Sequence, residues 1–326
     1  MRRVEGDGRG DGPGDGPGDG TGGVPVGDVD AASAVARYIE VRSRMPEARC
    51  PDASLRAAHL GELADEFDAF VLDGFGVLNV GFEPVAGAAG RVRALKAAGR
   101  TVRVLTNGAT LARAASAGKY RDWGIDIDPD EVVSSRDALA RAMRDRDDAL
   151  RWGFVARPES DIGAMSPGAV LLEDDPGVYA AVDGFVLLGT GLWGDARQAL
   201  LADALARRGR PVLVGNPDLV APFATGFSRE PGLFAHALAD AGLAAPEFYG
   251  KPYGNAFEEL ARTLPAGLDP ARIAMVGDTL HTDILGGAAA GWRTVLVTGL
   301  GLMRDLDVEA AIEASGIRPD FIVGTT

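Results

Sequence analysis

Residues 69–78 read Ala-Phe-Val-Leu-Asp-Gly-Phe-Gly-Val-Leu. Four apolar residues run into Asp73, and a glycine-containing turn follows. A short apolar run that ends in a carboxylate is typical of a buried parallel strand that brings this side chain to the edge of a sheet. Two residues on, where a second aspartate would complete a nucleophile and acid/base pair, the chain has Phe75. The segment therefore predicts a catalytic carboxylate and leaves one step of its chemistry open.

Short apolar runs recur along the chain and alternate with helical stretches rich in Ala, Leu and Arg. This alternation predicts an α/β fold with a Rossmann-like core and a mostly parallel sheet. Strands that end in Asp73, Thr106 and Asp278 would meet at the carboxyl edge of that sheet, where such folds bind ligands. Residues 30–66 are predicted to be helical, with breaks near Pro46 and Pro51. The predicted strands are 68–73, 101–106, 152–156, 182–188, 211–215, 272–277, 294–298 and 320–323.

The chain is predicted to hold two modules and a tail. Residues 146–221 have strands and a helix of their own and are interpreted as an α/β cap domain, inserted into a core of residues 29–145 and 222–326. One continuous sheet is the alternative. Residues 1–28 include a run of alternating Gly, Asp and Pro that cannot bury apolar area, and this tail is predicted to be disordered.

Composition limits the partners and the compartment. The net charge of −14 disfavours nucleic acid and anionic membranes as partners. No stretch approaches the roughly 18 apolar residues of a membrane span, and no signal peptide is evident. The single cysteine, Cys50, fits a reducing compartment, so the cytoplasm is predicted. The oligomeric state is left open, with a homodimer as one option.

Two further segments suggest that phosphate is handled near Asp73. Thr106-Asn107-Gly108 ends one predicted strand and is expected to open into a helix, whose N-terminus would cradle a phosphate. Lys251 lies in a turn before another helix, and it is one of only three lysines among 33 basic residues. An ammonium group there could neutralise a phosphate and the charge of the nucleophile.

A fourth segment supplies two carboxylates. Asp278 follows a predicted buried strand, and Asp283 lies five residues further on. This pair suits magnesium, which is bound in proteins by one or two carboxylates, waters and phosphate oxygens. A structural alternative is that Asp283 caps a helix and that Thr106 is an ordinary turn residue.

The order and content of these four segments resemble the haloacid dehalogenase superfamily of aspartyl-phosphate-forming hydrolases, over roughly residues 65–326. The large insertion between the second and third segments resembles the class IIA, NagD-like branch. Local matches to that branch are Gly215-Asn216-Pro217-Asp218 and residues 277–287. The resemblance implies that a small phosphate ester is the substrate, of the sugar or nucleoside phosphate class.

The resemblance also implies roles for individual residues. Asp73 would attack phosphorus and form an aspartyl phosphate. Thr106, together with Asn107 and Gly108, would bind the transferred phosphoryl group, and Lys251 would stabilise its charge.

A magnesium site is implied in the same way. Asp73, the backbone carbonyl of Phe75 and Asp278 would hold Mg²⁺, with Asp283 close by. Because a phenylalanine has the same backbone carbonyl as an aspartate, Phe75 leaves this metal ligand in place.

The missing acid/base leaves three functions open. Its loss typically costs roughly 10²–10⁴ in rate. The first function is a Mg²⁺-dependent phosphatase that uses another group, water or the substrate itself for proton transfer, with His281 as the nearest candidate in sequence. The second is a phosphometabolite-binding or partner-binding protein that has lost turnover. The third is a dehalogenase, since Asp73-Gly-Phe75 also resembles the nucleophile motif of 2-haloacid dehalogenases, which lack the Asp278/Asp283 pair.

Residues 189–194, Gly-Thr-Gly-Leu-Trp-Gly, match a dinucleotide-binding fingerprint. The confirming acid at the end of the next strand is missing, because that strand ends in Gly215 and Asn216. The preferred interpretation is a cap loop that faces the core site, with Leu192, Trp193 and Asn216 contributing to substrate choice.

Overall fold

The computed structural model describes residues 29–146 and 149–326, so the predicted disordered tail, residues 1–28, lies outside the described residues. Within these two ranges no helix is long and apolar enough to cross a membrane, and the longest has 13 residues. The strands are β1 Leu55–His59, β2 Ala69–Leu72, β3 Asn79–Val80, β4 Glu83–Pro84, β5 Thr101–Thr106, β6 Val132–Ser134, β7 Trp152–Val155, β8 Val170–Leu171, β9 Gly184–Leu187, β10 Val212–Val214, β11 Val220–Pro222, β12 Phe227–Arg229, β13 Glu247–Phe248, β14 Ile273–Gly277, β15 Arg293–Val297 and β16 Phe321–Thr325. The helices are α1 Ala31–Glu40, α2 Ala88–Ala97, α3 Arg113–Asp122, α4 Ser135–Asp145, α5 Ile162–Met165, α6 Pro176–Ala181, α7 Asp195–Arg207, α8 Pro231–Asp240, α9 Gly254–Ala261, α10 Leu285–Ala289 and α11 Val308–Ser315.

The core is a parallel seven-stranded sheet in the order β1-β16-β15-β14-β2-β5-β6. After β2 the chain continues to β5 and β6 on one side, and it later returns to β14, β15 and β16 on the other. The strand order thus reverses at β2, and ligands bind at such a point in open parallel sheets. Because β14 and β5 flank β2, the strand ends at Asp73, Thr106 and Asp278 are neighbours, as the sequence predicted.

Helices cover both faces of this sheet, and the strands are buried accordingly. In β2, Phe70 and Leu72 pack into one apolar cluster, while Ala69 and Val71 pack into another with Phe257 of α9. Successive side chains of a strand point to opposite faces, which explains the uninterrupted apolar run. Each large buried side chain contributes roughly 1.5–3 kcal/mol to stability. The strand that carries Asp73 is therefore firmly held.

A second parallel sheet, in the order β13-β10-β9-β7-β8, lies in sequence between α4 and α9. Two separate sheets exclude the alternative of one continuous sheet. The edge strand β13 and helix α8, which packs on this sheet through Phe234 and Leu238, both follow residue 221. The domain limits at 146 and 221 stay a prediction, and residues 222–248 contribute to the sheet beyond the second limit.

The helical prediction for residues 30–66 is wrong in its second half. α1 is helical as expected, but residues 55–59 form β1, which pairs in parallel with β16 and sets Leu55 opposite Phe321. The sequence Leu-Arg-Ala-Ala-His favours a helix only weakly. Pairing with the edge of the core sheet overrides this preference, because it satisfies the backbone groups of β16.

Candidate active site

Asp73 lies directly after β2, at the point where the strand order reverses, and it is buried. Its carboxylate oxygen Oδ1 accepts a hydrogen bond from the Gly74 N–H at 2.7 Å and lies 2.6 Å from Nζ of Lys251. Its own N–H donates to the carbonyl of Val276 at 2.8 Å, which continues the pairing with β14. The candidate nucleophile is thus fixed by backbone on one side and by an ammonium group on the other.

Lys251 is 1% exposed, and its Nζ lies 2.6 Å from both Asp73 Oδ1 and Asp283 Oδ1. Burial lowers the pKa of this ammonium, but the carboxylates of Asp283 and Asp73 raise it further, so the pKa lies above its ordinary value and the group stays charged. Asn107 holds the backbone of Lys251 at both ends: its Oδ1 accepts the Lys251 N–H at 2.7 Å, and its Nδ2 donates to the Lys251 carbonyl at 2.9 Å. Thus Lys251 is presented rigidly.

Asp278 and Asp283 lie on the loop that leaves β14. Asp278 accepts hydrogen bonds from the Leu302 N–H at 2.7 Å and from the Thr279 hydroxyl at 2.9 Å. Asp283 lies in a π-helical turn, and its Oδ2 accepts the N–H of Thr279, the capping residue of that turn, at 3.1 Å. Asp283 therefore helps to cap the turn, as the structural alternative proposed, while its other oxygen contacts Lys251.

Glycines let the chain pass close to Asp278. A Cβ at Gly301 would lie 1.8 Å from Asp278 Oδ2, and one at Gly76 would lie 2.4 Å from it. Both glycines have positive φ, of 66° and 77°. Only glycine fits these positions without moving the carboxylate.

The donor set fits a divalent cation. Asp73, Asp278 and Asp283 each offer an oxygen within 4.8 Å of the others'. Burial raises the pKa of Asp73 and of Asp278 to about 8, and the neighbouring carboxylates add to the effect, which Lys251 opposes at Asp73. If all three carboxyl groups were ionised they would carry more negative charge than Lys251 balances, and a hard cation, which prefers oxygen ligands of this kind, would offset that excess. These four residues form what we call the floor of the site.

The predicted phosphate loop lies beside Asp73 but is not a helix N-terminus. Thr106 ends β5 and accepts the Gly108 N–H on its hydroxyl at 3.1 Å. α3 begins only at Arg113, so residues 107–112 form a loop, and the expected opening into a helix is wrong. The reason is local: residues 108–110 line the cleft above the floor instead of continuing into helix. Asn107 is 1% exposed, and both ends of its side-chain amide bind the protein.

Phe75 is half-buried beside the nucleophile. The Nζ of Lys119 lies 5.6 Å from the centre of its ring, and the rings of Tyr120 and Trp123 surround the same ammonium group at 4.8 and 5.2 Å. The ring can neither donate nor accept a proton. The position of the expected second aspartate is therefore occupied by an apolar side chain that lines the cleft.

A narrow cleft of about 20 Å³, room for about one water molecule, lies between the core loops and the second sheet. Phe75 and residues 108–110 line it from the core. On the other side lies what we call the wall, four polar residues: Thr190, Asn216 and Glu230, which are buried, and Asp218, which is half-buried.

Hydrogen bonds link most of the wall. Asn216 donates from Nδ2 to Glu230 at 3.0 Å and accepts the Asp218 N–H at 3.0 Å. Asp218 in turn accepts from Asn107 Nδ2 at 2.8 Å. The hydroxyl of Thr190 is buried and has no partner among the described residues. Burial raises the pKa of Asp218 and of Glu230 to about 7 each.

Sequence reasoning found Asn216 but missed the rest of the wall. The signal for Asp218 was present, because it ends the quoted Gly215-Asn216-Pro217-Asp218 segment. Thr190 lies in the glycine-rich loop that was predicted to face the core site, and residues 189–191 do line the cleft. Glu230 precedes α8 without any pattern that would mark it.

Two predicted substrate residues lie elsewhere. Leu192 is 80% exposed, while Trp193 is buried in the apolar cluster of the second sheet and donates from Nε1 to Gln198 at 3.0 Å. Their placement does not support a role in substrate choice.

His281 is also not placed to transfer protons. It is 1% exposed, its ring stacks on Tyr38 at 5.1 Å, and burial lowers its pKa to about 3. The hydroxyl of Tyr38 accepts the Leu219 N–H at 3.0 Å, next to Asp218. Tyr38 and His281 therefore pack beneath the loop of Asp218 and help to hold it in place.

Comparisons with known proteins agree with this architecture. Residues 70–161 match the model of the haloacid dehalogenase-like hydrolase family, and residues 248–325 match that of a second HAD hydrolase-like family. An acid sugar phosphatase of Staphylococcus aureus is 26% identical over 242 residues, which are 74% of this chain and 90% of that protein. The crystal structure of a possible sugar phosphatase of the HAD superfamily from Cytophaga hutchinsonii is 25% identical, with a TM-score of 0.71, over 84% of this chain and 98% of that one. The p-nitrophenyl phosphatase of Archaeoglobus fulgidus shares the fold at 23% identity, with a TM-score of 0.65, over 80% and 97% of the two chains.

Proposed function

The chain belongs to the haloacid dehalogenase-like hydrolases, in their class IIA, NagD-like branch, and we propose on that basis that it removes phosphate from small phosphate esters such as sugar phosphates. The observation that carries the proposal is the contact of one buried ammonium, Lys251, with Asp73 and Asp283 at 2.6 Å each, at the strand-order reversal. The phosphatase names of the relatives support it.

The proposed reaction begins at Asp73. Its carboxylate attacks phosphorus, the bond to the ester oxygen breaks, and an aspartyl phosphate forms. Lys251, charged and fixed by Asn107, lies where it can stabilise the negative charge on the phosphoryl oxygens. Thr106, which ends the strand next to β2, and Gly108, whose N–H donates to the Thr106 hydroxyl, are proposed to orient the phosphoryl group. Water then releases phosphate and regenerates Asp73.

Magnesium is the proposed cofactor. Asp73, Asp278, Asp283 and the carbonyl of Phe75 would hold it, and when bound it would neutralise charge on the phosphoryl oxygens as a Lewis acid. The close approach of Gly76 and Gly301 to Asp278 supports this assignment, because it fixes the carboxylate and closes its surroundings to other side chains.

The two other functions left open by the sequence gain no support. The floor keeps Lys251 at 2.6 Å from Asp73 and Asp283, and its three carboxyl groups offer oxygens within 4.8 Å of one another, which argues against a decayed binding protein. The same carboxylate cluster has no role in halide displacement.

The test is release of phosphate from aryl, acyl and alkyl phosphates, with and without Mg²⁺. We expect turnover that requires the metal and that Asp73→Asn abolishes. The matched control is Asp269→Asn, which removes a carboxylate that caps a distant 3₁₀ turn. Phosphate release that survives Asp73→Asn would contradict the aspartyl-phosphate route, and a protein silent on all three classes would contradict the proposed function.

A further inference from the structure

We propose that Asp218 is the acid/base of this enzyme, giving a proton to the leaving oxygen and later taking one from the attacking water, in place of the group that Phe75 lacks. The assignment rests on the proposed function and adds to it the residue that completes the reaction.

The position of Asp218 supports this assignment. Asp218 and Phe75 line the same cleft. Asp218 accepts from Asn107 at 2.8 Å, and the same amide holds both backbone ends of Lys251, whose ammonium contacts Asp73. The carboxyl group is thus tied, through one side chain, to the residue that contacts the nucleophile.

The direction in which the leaving oxygen departs also supports it. In an in-line displacement the leaving oxygen departs on the side of phosphorus opposite to the nucleophile. The floor behind Asp73 is filled by Lys251 and the sheet, so the leaving group must point into the cleft. A proton donor is therefore needed on the wall and not beneath the phosphate.

The two carboxyl groups of the wall differ in their hydrogen bonds. Both oxygens of Glu230 are engaged, since Oε1 accepts from the Ser228 hydroxyl at 2.6 Å and Oε2 from Asn216 at 3.0 Å. Asp218 accepts only through Oδ1, and its other oxygen has no hydrogen-bond donor among the described residues. Asp218 is therefore the carboxyl group with an oxygen left for substrate or water.

The electrostatic surroundings agree. Burial raises the pKa of Asp218 to about 7, against the opposing effects of Lys251 and the Asn107 hydrogen bond, while Asp283 and Glu230 raise it further. Asp73 and Tyr38 also face this carboxyl group. A carboxyl group with a pKa near the working pH can serve both as an acid and as a base.

The proton balance closes over the two steps. In the first, Asp73 bonds to phosphorus, the ester P–O bond breaks, and the Asp218 proton moves to the leaving oxygen, giving an alcohol and an Asp218 carboxylate. In the second, water attacks the aspartyl phosphate, the bond from Asp73 to phosphorus breaks, and Asp218 takes the water proton. The sum is ester plus water to alcohol plus phosphate.

The experiment compares Asp218→Asn with Glu230→Gln on p-nitrophenyl phosphate and on glycerol phosphate. Asp218→Asn keeps the volume and an acceptor for Asn107. We expect it to lower kcat for glycerol phosphate by roughly 10²–10⁴, because an alkoxide needs the proton. With p-nitrophenyl phosphate the first step should survive while hydrolysis of the intermediate slows, which gives a burst of nitrophenol of about one equivalent per site. Glu230→Gln should affect both substrates alike and give no burst.

Several outcomes would overturn the assignment. Equal losses on both substrates with no burst from Asp218→Asn would do so, as would a burst from Glu230→Gln. If wild-type protein releases phosphate in an Asp73-dependent manner, such results reject only the role of Asp218. Silence of the wild type on both substrates would reject the proposed function and this role with it.

A second variant guards against a folding defect. Phe75→Asp restores a carboxyl group two residues after the nucleophile. Combined with Asp218→Asn, it should recover turnover of glycerol phosphate at least tenfold over the single Asp218→Asn variant. No recovery in a double variant that melts at the wild-type temperature would count against the proposal.

Discussion

The floor of the site and the wall of the cleft above it both bury charged side chains, but they satisfy them to different degrees. In the floor one ammonium group contacts two carboxylates at 2.6 Å, and backbone N–H groups complete the contacts. In the wall the carboxyl groups of Asp218 and Glu230 accept hydrogen bonds from amide and hydroxyl groups, and the hydroxyl of Thr190 has no partner among the described residues. The difference indicates that the floor is organised in advance for one constant group, phosphate, while the wall is left to be completed by the rest of the ligand.

The largest expected effect is that of breaking the floor at Lys251. Lys251→Met leaves Asp73 and Asp283 buried without their ammonium group, and removing one partner of a buried pair costs roughly 3–5 kcal/mol. We expect that loss in urea unfolding with a chelator present, together with loss of phosphate release. Lys251→Arg keeps the charge and is the control. A Lys251→Met protein as stable as the wild type would show that the floor does not depend on this contact.

The next effect concerns the wall at Glu230, whose pKa is raised from 4.5 to about 7, chiefly by burial. Because the folded state holds the Glu230 proton more tightly than the unfolded state, the contribution of this group to stability is most favourable below pH 4.5 and is lost as the pH rises towards 7. Glu230→Gln removes the penalty and should stabilise the protein at pH 8 by up to roughly 3 kcal/mol, but not at pH 4.

Glu259 provides the control of opposite sign. Its hydrogen bond with Arg141 lowers the pKa of its carboxyl group, so Glu259→Gln should reduce stability at pH 8. The checks are melting temperatures of both variants at the two pH values. A Glu230→Gln variant that is less stable than the wild type at pH 8 would contradict the contrast between wall and floor.

A smaller effect is expected from Gly301→Ala. The new Cβ would lie 1.8 Å from Asp278 Oδ2 and displace this carboxylate. We expect the Mg²⁺ concentration at half-maximal activity to rise roughly 10–100-fold. Gly316→Ala has nearly the same positive φ, 67° against 66°, and nothing within 4 Å of the added carbon. If both variants shift the metal titration equally, backbone strain and not Asp278 is responsible.

The smallest effect is expected at Thr190. Thr190→Val removes a buried hydroxyl that has no partner among the described residues, so stability should change by less than about 1 kcal/mol or rise. The KM for a hydroxyl-rich phosphate ester should increase several-fold, and that for p-nitrophenyl phosphate should not. Thr298→Val, which loses a hydrogen bond to the Val323 carbonyl, should instead lower the melting temperature. A Thr190→Val protein with unchanged KM for both esters would show that this hydroxyl of the wall does not contribute to substrate recognition.

Much of the floor was predictable because strand ends in a parallel sheet are set by apolar runs. Asp73 and Asp278 each follow such a run, and the neighbouring positions of β2 and β14 in the sheet bring them together. Lys251 was found through its rarity and its turn. The contacts between these residues could not be predicted, since they depend on Asn107, whose amide bridges segments 144 residues apart.

The wall was harder to predict for a physical reason. Apart from Asn216, which ends a predicted strand, its members lie on loops of the second sheet and before α8, where no hydrophobic period marks a position. Trp193 shows the opposite error: an aromatic residue in a glycine-rich loop suggested a ligand contact, yet its burial among apolar neighbours is the stronger effect. β1 was missed because edge pairing outweighs local preference.

Tyr38 has a practical consequence for choosing where a fragment of this protein should begin. It lies some thirty residues before the first strand that resembles the family, yet its hydroxyl accepts the Leu219 N–H and its ring stacks on His281. A fragment that starts at residue 65, where the resemblance begins, would retain every residue of the floor and the wall but would lose this shared support and the α1 side chains packed with it. The part of the chain that packs together thus extends further towards the N-terminus than the part that resembles the family. A fragment chosen by sequence similarity alone would lack α1.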